Sequence, residues 1–228
     1  MDIISSKHQQ TSSYTGSVST QELLEIPYNK SFVWGNIITG SIGFAALGYI
    51  NAVSNSVLSY LKKFLFTGLS ENQLSLLVSL PLAASAIGAV SSGAQAARFG
   101  RRKVLLFWDI IGLIGVALTI FDNYYTIVSG RTLEGLFAGV NLAMGPVYLV
   151  ESSPIKFRGI AGTFSVLMLT LFVTVAIAFG FIVPKEMSPG ETSDAWKICY
   201  GFLAVPIILR LFAFLFIYRS ETPFFLVK

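Results

Sequence analysis

Charged side chains stand inside stretches that are otherwise apolar enough for lipid, and they are the residues here best placed to do chemistry. Arg131 and Glu134 both fall within the apolar run 125–149. On insertion scales a charge near a helix centre costs roughly 2.5–3.5 kcal/mol, so two unpaired charges would cost about 5–7 kcal/mol. Both must therefore face protein or water. At i and i+3 they share a helix face, which allows two chemistries: a local ion pair, or a protonatable carboxylate held beside an arginine as a proton relay would use. Asp109 is a third such group, at a depth that a water-filled vestibule or a lysine could reach. Glu151 lies in the last turn of a helix that Ser153–Pro154 must end, because the residue before proline is pushed out of helical geometry. The helix dipole disfavours a carboxylate there, so Glu151 calls for a cation, and Lys156 and Arg158 follow immediately. One histidine, His8, and one cysteine, Cys199, leave no metal cluster, no Ser/His constellation and no intrachain disulfide. The expected protein is not an enzyme and uses no cofactor.

Membrane helices must position these groups. The 228 residues are 54% hydrophobic and 12% charged, about half the charge of a soluble domain at roughly 25%. Apolar runs long enough to cross a bilayer occupy 33–58, 73–97, 104–121, 125–149, 160–183 and 198–218, six helices in all. Pro81 and Pro206 supply kink sites in the second and sixth. Gly135, Gly139 and Ala143 recur every four residues, so one face of the fourth helix is bare enough for a neighbour to approach closely. Gly40, Gly43 and Gly48 do the same for the first. The polar, Ser/Thr-rich residues 1–31 read as a disordered tail, leaving 32–228 as the helical bundle. An even number of spans puts both termini on one side. That side collects Arg98, Arg101, Arg102, Lys103, Lys156 and Arg158 in its loops, against Lys62, Lys63, Lys185 and Lys197 opposite. Both ends are therefore expected in the cytosol, where the sequon at Asn29 would go unused. The net charge of +4 follows from this asymmetry, and a nucleic-acid partner is excluded.

Several motifs in these spans resemble the sugar porter branch of the major facilitator superfamily. They are G-R-x-x-x-G at Gly130, Arg131 and Gly135, and P-x-Y-x-x-E-x-x-P-x-x-x-R-G over 146–159. G-x-x-x-x-R-x-G-R-R over 93–102 is similar to that superfamily's loop between helices two and three. Trp196, Pro206 and Ser220-Glu221-Thr222-Pro223 resemble the close of its first half. The resemblance covers about residue 33 to the end. It implies an all-α fold of six transmembrane helices in two inverted three-helix repeats, one half of a major facilitator fold. It also implies the plasma membrane rather than an endomembrane, and both the bilayer and a sugar-like substrate as partners.

By the same resemblance, Tyr49, Asn51 and Asn55 on the first helix, Arg131 and Glu134 on the fourth and Val166 on the fifth belong to the substrate cavity. Arg98, Arg101, Arg102, Glu151, Arg158 and Glu221 form a cytosolic gating network, with simple helix-end solvation as the plainer alternative. Four departures stand out. Ala97 replaces a common Asp of the loop. Ile50 replaces the acid or amide after the tyrosine, the usual proton site of coupled members. Val166 stands where most sugar porters hold sugar with a glutamine, which a threonine at 163, 170 or 174 would replace only if it does not simply bond its own backbone. Arg210 replaces an uncharged residue, near enough to the cytosolic end to snorkel. The expected function is transport of a hexose-like sugar by alternating access, with this chain as the N-terminal half and a C-terminal half or a pairing protomer as the other. A transporter of another small solute, or a half-size non-transporting regulatory or degenerate membrane protein, are the alternatives.

Overall fold

The computed structural model describes residues 30–65, 68, 70–183 and 193–217 and contains helices but no strand among them. The elements are α1 (Lys30–Tyr60, running into a π-turn at Leu61–Leu65), α2 (Glu71–Phe99), α3 (Arg101–Thr119), α4 (Tyr124–Ser152), α5 (Ile155–Phe179), α6 (Ala195–Gly201) and α7 (Ala204–Phe212, ending in a π-turn at Ala213–Ile217). Residues 1–29, including most of the expected tail, His8 and Asn29, lie outside the described residues, as does Glu221.

Local chemistry sets the helix ends. Ser70 and Gln73 cap α2 reciprocally, each side chain bonded to the other's backbone N–H. Gly100, at φ 87°, makes the one-residue turn from α2 to α3, a conformation that costs residues with a Cβ about 1–2 kcal/mol. Asn123 caps α4 by accepting from Tyr125 N. At the other end Ser153 turns extended before Pro154, so α4 stops where the proline demands.

Among the described residues, five stretches are long and apolar enough to cross a membrane: Lys30–Phe64, Glu71–Phe99, Tyr124–Ser152, Ile155–Phe179 and Ala195–Phe216. The expected third span, α3, is shorter and more charged. Its 19 residues reach about 28 Å at 1.5 Å per residue, close to the hydrocarbon thickness. The sixth span is broken, not continuous. Pro206 has no N–H and its ring crowds the carbonyl of Phe202, so the chain tightens through Phe202 and Leu203 before α7 resumes.

α1 and α4 form the centre. α1 packs along α5, and α4 packs along α2 and α3. Exchanging the first three spans for the last three maps the α1–α5 contact onto α4–α2, as two inverted repeats require. Small residues set these approaches. A Cβ at Gly139 would strike the Ser85 carbonyl of α2, and one at Gly48 would strike the Leu169 carbonyl of α5. The small-residue stripe expected on α4 therefore meets α2, with Gly135 against Pro81. Large apolar side chains such as Leu82, Val90 and Leu171 point outward, as a lipid-facing surface does.

Candidate functional site

α4 carries Arg131 two turns from its start, and the guanidinium is surrounded. Its Nη1 donates to Glu134 Oε2 at 2.5 Å, and its Nη2 donates to the Ile50 carbonyl at 2.9 Å and to Ser54 Oγ at 2.5 Å. The Tyr200 ring lies 5.4 Å away. Thr119 donates to the other carboxylate oxygen at 3.3 Å. Arg131 and Glu134 have 2% and 0% of their side chains exposed, so the i, i+3 spacing yields a closed ion pair. Ile50, where the resemblance would place an acid or an amide, still contributes through its backbone carbonyl.

Tyr49, Arg131 and Glu134, three of the residues expected at the cavity, are packed inside the described bundle. Tyr49 packs on Phe179 and Phe202 and donates to the Cys199 carbonyl at 2.6 Å. In an unbroken helix that carbonyl would accept from residue 203, but Leu203 N bonds Tyr200 O at the break. Tyr49 thus satisfies an acceptor that the broken sixth span sets free.

Asn51 and Asn55, one turn apart, do reach the surface. With Ala52, Val173 and Ile177 they line a cleft of about 480 Å³ between α1 and α5. Val166 is also exposed on α5 but lies two turns from Val173 and outside this lining. The three nearby threonines bond their own helix, Thr163 to Gly159 O, Thr170 to Val166 O and Thr174 to Thr170 O, each at 3.1 Å.

A second buried pair escaped the sequence reading. Arg210 Nε donates to Asp109 Oδ2 at 3.1 Å, its Nη2 donates to Asp109 Oδ1, and its Nη1 donates to Asn141 Oδ1 at 2.5 Å. Arg210 is 1% exposed and Asp109 0%, so the arginine does not snorkel and the aspartate meets no vestibule or lysine. The partners stand 101 positions apart, a separation at which no spacing rule operates. The only signal was that each span carried one charge of opposite sign.

At the end bearing the basic loop, Glu151 finds Arg101 at 2.9 Å, not the sequence-adjacent Lys156 or Arg158. Both side chains are nearly half exposed, so the pair contributes at most about 1 kcal/mol. Arg102 donates to the Phe214 carbonyl and ties α3 to the last π-turn. Arg158 Nε reaches Ser153 O at 3.5 Å, and Arg98 is exposed. Beside this end, Asn36 donates to Ser152 Oγ at 2.7 Å and accepts from Tyr148 at 2.9 Å, joining α1 to α4.

With this geometry in hand, comparison with known proteins is informative. A family model described as "Sugar (and other) transporter" matches residues 36–228. The probable metabolite transport protein CsbC of Bacillus subtilis is 34% identical over 191 residues, covering 83% of this chain and 39% of that protein. The human proton myo-inositol cotransporter is 32% identical over 199 residues, covering 87% of this chain and 29% of that protein. The crystal structure of a D-xylose-proton symporter superposes with a TM-score of 0.75 at 20% identity, over 86% of this chain and 50% of that one. The chain thus spans less than half the length of the curated relatives named here.

Proposed function

Because the chain belongs to the sugar (and other) transporter family, we propose that it forms the N-terminal share of a carrier that moves a sugar-like solute across a membrane by alternating access. The observation that carries this reading is the α1–α5 cleft, where Asn51 and Asn55 stand at an open surface between two apolar spans. Side-chain amides facing lipid would be costly, whereas each offers two donors and an acceptor to a solute rich in hydroxyls. The solute's other contacts come from a C-terminal six-helix half or from a second protomer. Val166 offers no hydrogen bond where it is exposed, which favours a solute held by fewer polar contacts on α5 than a hexose bound through glutamine would be.

The half-exposed Arg101–Glu151 pair, with Arg98, Arg102, Arg158 and Glu221, serves as the cytosolic latch. A weak link is suited to this, because alternating access balances states that differ by a few kcal/mol. Both termini lie in the cytosol and the protein resides in the plasma membrane, readings supported by the Lys/Arg asymmetry and by the family respectively.

Solute-protected alkylation tests the cleft. In the complete carrier, Asn55→Cys should react with a small maleimide at a rate that falls saturably with solute concentration, while the buried Cys199 stays unlabelled. A rate that no sugar, cyclitol or pentose changes, in a carrier that still transports one of them, would remove Asn55 from the path.

A further inference from the structure

Among the described residues five stretches are long and apolar enough to cross a membrane, and α3 falls outside them through its charges alone. Its nineteen residues open on Arg101, Arg102 and Lys103 and carry Asp109 one position before the helix midpoint. A lone carboxylate at that depth disfavours insertion by roughly two orders of magnitude. In the folded bundle the carboxylate is enclosed and both its oxygens are held by Arg210. Asn141 takes the remaining guanidinium arm at 2.5 Å. Gly43 of α1 leaves the space for this cluster, since a Cβ there would overlap Arg210 Nη1 and lie 2.6 Å from Asn141 Oδ1.

The two partners are not equivalent. Arg210 belongs to the Ala195–Phe216 stretch, which is apolar enough to enter the bilayer with its arginine aboard. An arginine stem is also long enough to carry its charge toward the interface, whereas an aspartate is not. We infer that Arg210 seats α3: the third helix is held across the bilayer only when the sixth span has arrived and its guanidinium has paired with Asp109. Asn141 and Gly43 shape the seat, and a residue 101 positions downstream completes the insertion of α3.

An asymmetry between the two partners follows. Losing Arg210 leaves Asp109 as an unpaired charge near the middle of its helix. Losing Asp109 makes α3 more apolar and leaves Arg210 free to extend toward the membrane surface. A pair that only strengthened packing would instead show comparable losses from either side.

Phe99 and Phe121, both exposed, flank α3 and provide the readout. In the full chain carrying Cys199→Ser, Phe99→Cys and Phe121→Cys are introduced separately and labelled with an impermeant maleimide, on chains synthesised into sealed microsomes before and after opening the vesicles. The reporters should label from opposite faces in the parent. Arg210→Met should lower the share of Phe121→Cys chains labelled only after the vesicles are opened at least tenfold, whereas Asp109→Leu should leave that share unchanged. The double variant Asp109→Leu/Arg210→Met should restore it, because no unpaired charge then remains. The reading is of topology at synthesis, so it does not require the variants to reach a stable fold. The inference is overturned if Arg210→Met leaves α3 across the bilayer, if Asp109→Leu displaces it as severely, or if the double variant fails to recover.

Discussion

Glu134→Gln removes one charge from the Arg131 pair while nearly preserving shape. Both side chains are enclosed, so solvent screens little of the loss. Breaking a buried pair from one side typically costs about 3–5 kcal/mol, because an uncompensated charge is left behind. Here Arg131 keeps the Ile50 carbonyl and the Ser54 hydroxyl, and a glutamine oxygen can still accept from Thr119. Those remaining bonds put the expected loss at the lower end, about 3 kcal/mol, or roughly a hundredfold in the folded-to-unfolded ratio. The assay is the midpoint of detergent-solubilised unfolding, read together with expression yield. In a complete carrier, every transport mode should fall in step with yield. The double variant Arg131→Met/Glu134→Leu should regain most of the stability, since neither buried charge remains. A Glu134→Gln protein as stable as the parent would refute the ion-pair reasoning. Normal expression and exchange with selective loss of pH-driven accumulation would establish the relay reading instead.

Two further outcomes follow from packing and charge. Gly139→Ala places a methyl against the Ser85 carbonyl, so α2 and α4 must separate, and unfolding should become easier by about 1–3 kcal/mol in the same detergent assay. The parallel change Gly162→Ala, in open space on α5, should have little effect. Protease added to intact cells should spare tags at both termini and cleave a site inserted at Ser188, and cleavage of an N-terminal tag would contradict the cytosolic placement of the ends.

The six spans, the end of α4 at Ser153 and the close approach at Gly135 and Gly139 were legible in the sequence because each depends on local apolarity, proline geometry or small-residue spacing. The Arg131–Glu134 pair was legible for a related reason, its partners being three residues apart on one face. Reading failed where contacts are nonlocal. Asp109 and Arg210 each looked solitary. Spacing alone pointed Glu151 to its nearest cations, and it was the family resemblance that grouped it with Arg101, to which packing joins it across 50 positions. A motif gives residue order but not the rotation of its helix, so the enclosure of Tyr49 was not legible in it. Two residues, about 200° of helical phase, separate the enclosed Tyr49 from the exposed Asn51. The break in the sixth span was signalled by Pro206 but appears one turn earlier, at the carbonyl that the proline ring crowds.

Solute counterflow tests the central claim most directly. The carrier that contains this chain would be purified into proteoliposomes preloaded with one unlabelled hexose, pentose or cyclitol at a time, and entry of the same labelled solute would be followed. The account predicts saturable, mutually competed exchange for at least one of them. It further predicts that Asn51→Leu/Asn55→Leu weakens this exchange at least tenfold while leaving the unfolding midpoint within about 1 kcal/mol of the parent, both residues being exposed at the cleft. Saturable exchange untouched by that double substitution, or no exchange of any such solute by a folded and complete carrier, would contradict it.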